Sequence, residues 1–223
     1  MFMRGLEIAE ILQNYNKSVF TLKDIAKITG KPRKYLSLLL SKNKMFKRIE
    51  RGKYCLKEAS IYVIASNIIY PSYVSLLSAL RYYNLVTQMP NVVYVVATRQ
   101  HKVINFDGYS IKFIKFSRNR VFGYKNDDGA NVACPEKAII DSLYEGLDYS
   151  YVAEAFKNIE DADIEKLKSY AINMDSKILI NKLGFLLESS GFDASSLITH
   201  RSSRYAVISP GKKINTKWRV KHA

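Results

Sequence analysis

TLKDIAKITGKPRKYLSLLLSKNKMFKRIERGKYCL, Thr21 to Leu56, decides how the chain is read. Thr21 stands as a helix N-cap with Asp24 three residues on, a short form of the capping box. Leu22, Ile25, Ala26 and Ile28 follow as an apolar face at helical spacing. Thr29-Gly30-Lys31 breaks that helix, because glycine takes the left-handed conformation that many helix ends need. Pro32 suits the first turn of a second helix, where its missing N–H costs nothing. Tyr35, Leu36, Leu39 and Leu40 form one face of that helix, and Arg33, Lys34, Ser37 and Ser41 point elsewhere. Helix, short glycine-containing turn and helix make the helix-turn-helix pattern, whose second helix enters a DNA major groove.

The residues after it extend the pattern. Met45 to Ile49 and Lys53 to Lys57 alternate apolar and polar side chains around Glu50-Arg51-Gly52, a hairpin signal. A hairpin in that place is the wing of a winged helix. From Lys31 to Lys57 there are ten basic residues and one acid, Glu50. Positive charge clustered on a groove-sized element is the footprint of phosphate binding. The competing reading is a solvated basic face on a small helical domain that binds a protein.

Working outward, 223 residues suffice for one large domain or a small and a medium one. Apolar residues at 48% and charged residues at 25% are ordinary for a folded soluble protein. A formal charge of +15 favours a polyanionic partner. That charge is unevenly spread: residues 1–60 carry net +9, 61–135 net +5, 136–188 net −5 and 189–223 net +6. Two parts with separate tasks are expected from such a division. No apolar run approaches the roughly 20 residues that span a bilayer. Arg4 is followed by Glu7 and Glu10 rather than an apolar core, so a secretory signal is not expected. Cys55 and Cys134 are too few for a disulfide framework, and a reducing cytoplasm is the simple inference.

The rest of the chain reads as α+β. Gly5–Tyr15 is a first helix that completes a three-helix core with the pair above, Leu6, Ile8, Ala9, Ile11 and Leu12 supplying contacts. A helix over 57–69 joins this core to the larger part of the chain. Pro71 opens another helix, with Val74, Leu76, Leu77, Ala79 and Leu80 inward. The valine-rich run from Val92 to Ala97, after Pro90, is a buried strand. Asp107-Gly108 and Asp127-Asp128-Gly129 mark two hairpins, so the middle of the chain is expected to form an antiparallel sheet. Helices follow at 135–145, 150–158, 161–171 and 176–189, the last ended by Gly191. Strands at 204–209 and 216–220 close the chain around Pro210-Gly211. Strands followed by helices indicate an α+β fold. The domain division expected is a winged helix-turn-helix over 1–57 and a larger α+β effector domain over 58–223.

Catalytic signatures are weak. His101, His200 and His222 do not stand at metal-ligand spacing with each other or with a cysteine. No glycine-rich phosphate loop is present. Ser72, Ser75 and Ser78 recur at period three, but no His or acid is placed in sequence to activate them, and small residues allowing close helix packing are the simpler explanation. Glu136, Asp141 and Glu145 line one side of a helix, as metal ligands do. The commoner reading is a solvated acidic face, or ion pairs with nearby lysines. No catalytic residue, metal or cofactor is expected.

Three further stretches carry a resemblance. Tyr70-Pro71-Ser72-Tyr73-Val74-Ser75-Leu76-Leu77-Ser78-Ala79-Leu80 is followed by Asn84-Leu85-Val86, Gln88-Met89-Pro90 and the strand ending Ala97-Thr98. Ala133-Cys134-Pro135-Glu136-Lys137-Ala138-Ile139-Ile140-Asp141 is the second, and Lys182-Leu183-Gly184-Phe185-Leu186-Leu187-Glu188 the third. In this order and spacing, with the N-terminal pattern, the chain resembles the AbiEi antitoxins of abortive-infection type IV toxin–antitoxin systems. Cys134 departs from the small or apolar residue expected there. The resemblance implies a transcriptional repressor that binds inverted repeats in its own promoter and counters a nucleotidyltransferase-like toxin encoded beside it. It brings no catalytic residues.

For double-stranded DNA the residues themselves suggest a division of roles. Lys31 in the turn is a DNA-binding candidate, and Arg33, Lys34, Tyr35 and Ser37 sit at the start of the second helix, where side chains reach base edges. Arg33 matches guanine O6 and N7 with its fork. Lys42, Lys44, Lys47, Arg48, Arg51 and Lys53 meet phosphates from the helix end and the wing, so that Lys53→Ala is expected to weaken all sequences alike. No membrane partner is expected. A ligand-responsive regulator without a toxin partner is the alternative, and an RNA-processing enzyme or nuclease a third reading. The basic residues Arg201, Arg204, Lys212, Lys213, Lys217, Arg219 and Lys221 suit a second nucleic-acid surface. They suit equally an acidic patch, on a partner or on residues 136–188.

Overall fold

A computed structural model describes residues 5–15, 17–88 and 91–223. Arg4, Met89 and Pro90, named above, lie outside the described residues. The chain forms a mixed α+β fold of two compact units that interleave along the sequence. The first comprises Met1–Val74, Asn91–Lys115 and Asn126–Val132, and the second Ser75–Pro90, Phe116–Lys125 and Ala133–Ala223.

The first unit begins with α1 (Gly5–Asn14), β1 (Val19–Thr21), α2 (Leu22–Thr29), α3 (Arg33–Lys42), β2 (Phe46–Glu50) and β3 (Lys53–Leu56). The Thr21 hydroxyl accepts from the Asp24 N–H at 3.1 Å, and the Thr21 N–H donates to Asp24 Oδ2 at 2.9 Å. Aspartate thus completes a capping box that usually uses glutamate. Gly30 ends α2 at φ +66, a conformation cheap only for glycine. Pro32 caps α3 rather than entering it. Ile8, Ala9 and Leu12 of α1 meet Phe20, Ile25, Leu36, Leu40, Phe46 and Tyr54 in one core. Phe20 stacks on Tyr54 and meets Phe46 edge-on. Leu6, expected inward, is exposed, because it falls off the stripe of Ile8 and Leu12.

β2 and β3 pair as an antiparallel hairpin with an irregularity between Arg48 and Glu50. β1 pairs along the other side of β3, Val19 opposite Cys55, giving the order β1-β3-β2. Cys55 is fully buried, and burial pushes its thiol up to about 11. In the folded chain it should resist iodoacetamide at pH 7.5, since only the thiolate attacks. Rapid stoichiometric modification at Cys55, read by peptide mass spectrometry, would contradict this packing.

α4 (Ile61–Ser66) is shorter than the helix expected over 57–69. Pro71 does not open a helix: a cis Tyr70–Pro71 bond leads into β4 (Ser72–Val74), and the next helix starts only after Ser75. Val74 pairs with Val95 on one side and Val132 on the other. Sheet pairing of this kind overrides local helical spacing. β5 (Val92–Ala97), β6 (Ile104–Phe106), β7 (Tyr109–Lys115), β8 (Tyr124–Asp127) and β9 (Ala130–Ala133) complete a six-stranded sheet ordered β6-β7-β5-β4-β9-β8. The Asp107-Gly108 hairpin forms as expected between β6 and β7. The sheet is mixed rather than purely antiparallel, because β5 runs parallel to β7 and β4 parallel to β9.

The second unit holds α5 (Leu76–Tyr82), α6 (Pro135–Glu145), α7 (Tyr149–Asn158), α8 (Ile164–Asn173) and α9 (Lys177–Ser189). Pro135 opens α6 and left-handed Gly146 closes it, as the helix-end rules predict. Asp148, Asp163 and Ser176 cap the next three helices through their side chains. α6 packs against α5, α7, α8 and α9 and is buried along most of its length. A small sheet ends the chain: β10 (Ala206–Val207), β11 (Lys213–Asn215) and β12 (Val220–His222), with β12 central. The strand expected at 216–220 is displaced, because Trp218 turns into the core. Among the described residues no helix is long and apolar enough to cross a membrane.

Candidate nucleic-acid interface

α3 buries Leu36 and Leu40 and packs Tyr35 and Leu39 against the same core. Helical geometry then turns Arg33, Lys34, Leu38, Ser41 and Lys42 to solvent, and all five are exposed. Ser37 and Lys31 are half-buried. No acid lies on this helix. Beyond it, Lys44, Arg48 and Arg51 are exposed on the approach to the hairpin and along it.

Not every expected contact residue is presented this way. Tyr35 faces the core side. Lys47 donates to Asp107 Oδ2 at 2.8 Å, and its ammonium lies 5.9 Å from the Phe106 ring. Lys53 pairs with Glu50 at 3.0 Å and donates to the Ile68 carbonyl at 2.6 Å. Arg48 Nε donates to the Glu50 carbonyl, leaving its other guanidinium donors outward. Glu50 also lies 3.4 Å from His101 Nε2. Lys47 and Lys53 therefore place their charge on partners within the unit, while Arg33, Lys34, Lys42, Lys44, Arg48 and Arg51 present theirs to solvent. Sequence reasoning misses Leu38, which is 56% exposed amid these cations. Its displacement from the Leu36/Leu39/Leu40 spacing is the available signal.

A second constellation lies inside the second unit. Ser75 Oγ donates to Asp141 Oδ2 at 2.7 Å, and Lys137 Nζ donates to Asp141 Oδ1. The lysine ammonium is 4.6 Å from the Phe122 ring and 5.5 Å from that of Phe116. The sequence places no acid against Ser75, and Asp141 supplies one from 66 residues away. Of the row Glu136, Asp141, Glu145, the first two are buried in ion pairs with lysines, one of the two readings the sequence offers, and only Glu145 is exposed. Asp141 is fully buried with Lys137, and Glu136 pairs with Lys166 at 3.0 Å. Glu145 is exposed at the end of α6, and partial desolvation with Asp141 nearby holds its carboxyl above its ordinary range. Burial likewise holds Lys137 below the usual lysine range, against the pull of Asp141. Serine, carboxylate and lysine have the composition of an activated nucleophile. Here none of the three exposes any surface, and they form a packed ion pair with a hydroxyl donor. Among the described residues no group of three or more His, Cys, Asp or Glu is placed to hold a metal ion.

No protein-family model and no curated protein sequence matches the chain.

Proposed function

We propose that α1–α3 with β1–β3 is a winged helix-turn-helix that binds double-stranded DNA. On this reading α3 lies in the major groove and the β2–β3 hairpin lies along the backbone. The observation that carries it is the shared outward presentation of Arg33, Lys34 and Lys42 on α3 with Arg48 and Arg51 on the hairpin. The protein represses its own promoter at inverted repeats and counters a nucleotidyltransferase-like toxin, as the resemblance to AbiEi antitoxins implies. The second unit is a non-catalytic effector, a reading supported by the closed packing of Ser75, Lys137 and Asp141.

Titration of the full chain against its own promoter fragment tests the DNA half. Lys34, Lys42, Lys44, Arg48 and Arg51 as phosphate contacts give a slope of log K on log salt of about −4 to −5. A flat response would remove the mechanism. Arg33→Ala should cost about 1–3 kcal/mol and relax base choice, whereas Arg51→Ala should weaken every sequence and reduce the slope by about one. Lys53→Ala should change little, because its charge is spent on Glu50. Co-expression with the neighbouring reading frame tests the antitoxin half: growth rescue supports it, and unrelieved toxicity refutes it.

One observation favours the ligand-responsive alternative. A cavity of about 640 Å³ in the second unit is lined by Phe156, Ile159, Phe192, Lys157 and Glu160 among others, a size that suits a small molecule. A metabolite that raises the Tm and changes promoter affinity would select that reading.

A further inference from the structure

Residues 194–223 contain seven Lys and Arg and no Asp or Glu. Of these, Lys217 meets Glu188, Arg201 donates to the Lys217 carbonyl, and Arg219 donates to the Ser202 carbonyl. Arg204, Lys212, Lys213 and Lys221 are exposed, with no acidic partner among the described residues. The acidic stretch 136–188 therefore engages one of the seven cations in an ion pair.

Strand register then decides what lies between the free cations. Val207 stands opposite Lys221, and Lys221 opposite Ile214, so the three form one row across β10, β12 and β11. Residues directly opposite share a face. The adjacent row, Ala206 and Val220, is buried, so the first row looks outward. Val207 is 62% exposed and Ile214 53% exposed, with Lys221 between them. Tyr205, 45% exposed, has its ring 5.9 Å from the Lys221 ammonium. The outward face of a small sheet is ordinarily polar. This one alternates aliphatic, cationic and aromatic groups.

We propose that the outward face of β10–β12, with Tyr205, Val207, Ile214 and Lys221 at its centre, binds single-stranded DNA. Charge complementarity gives a polyanion. Duplex phosphates would engage only the cations and leave the apolar row in water, whereas a single strand offers unstacked bases to Tyr205 and the aliphatic side chains. The row has two aliphatic groups suited to the thymine methyl, which uracil lacks, and this favours thymine-containing DNA over RNA. Strands this short, about 3.3 Å per residue, give room for two or three nucleotides. The proposal does not depend on the winged-helix reading.

Fluorescence anisotropy of a labelled 12-mer of dT with the full chain at low salt tests it. Tyr205→Ala and Lys221→Ala should each weaken binding about five-fold or more, with unchanged Tm because both side chains are exposed. Arg33→Ala and Arg51→Ala should leave dT binding as it is while weakening promoter duplex, which separates this surface from the N-terminal one. The proposal is overturned if dT binding is absent or survives both substitutions on the β10–β12 face. Equal affinity for a 12-mer of rU overturns it too. So does capture by phosphatidylglycerol vesicles that is lost on the same substitutions while dT binding is retained.

Discussion

Asp141→Ala should destabilise the chain by about 3–5 kcal/mol, because it strands the Lys137 ammonium in a site with no exposed surface. Urea denaturation followed by circular dichroism measures this. A loss under about 1 kcal/mol would mean that the pair is not buried as described. The triple change Ser75→Ala, Lys137→Met, Asp141→Leu removes every polar member together and should restore most of the loss, since an apolar set of similar volume avoids the desolvation cost. The pH dependence has a fixed sign. Burial already holds Lys137 below the ordinary lysine value, and losing Asp141 removes an interaction that raises it. Between the folded value and the unfolded value of about 10.4, the unfolded chain binds more protons. Stability of Asp141→Ala should therefore rise with pH across that window, more steeply than that of the parent chain.

Trp218→Ala should cost about 3–5 kcal/mol, the range for emptying a large buried aromatic site. Trp218 is fully buried, and a Cβ added at Gly184 would fall 2.2 Å from its ring. Helix α9 thus uses glycine to let the indole sit against its backbone. Gly184→Ala should cost about 1–3 kcal/mol by overpacking. The chain has one tryptophan, so its emission reports this contact directly. The parent should emit at short wavelength and Gly184→Ala at longer wavelength. A parent spectrum typical of solvent-exposed indole would refute the packing.

Local rules make the N-terminal elements legible. Thr21, Gly30 and Pro32 each act within a few residues of chain, and the structure uses each at a helix end. β1 escapes such rules because three residues, Val19–Thr21, carry no period of their own. β4 reads locally as helix because Val74 and Leu77 match helical spacing, while the pairing that makes it a strand comes from Val95 and Val132. The exposed cations of α3 follow from the apolar spacing opposite them. The fates of Lys47 and Lys53 do not, since Asp107 lies 60 residues from Lys47 and the Ile68 carbonyl 15 from Lys53. Ser75 and Asp141 are separated likewise, so neither composition nor period could join them.

The Lys47–Asp107 bridge carries a consequence for the hairpin at β2–β3. If the hairpin meets phosphates as proposed, the number of counter-ions it displaces is set partly by a carboxylate on another hairpin. Neutralising Asp107 would release the Lys47 ammonium from this partner without changing any residue of the β2–β3 hairpin. The six-stranded sheet is in this sense an electrostatic governor of the element that precedes it.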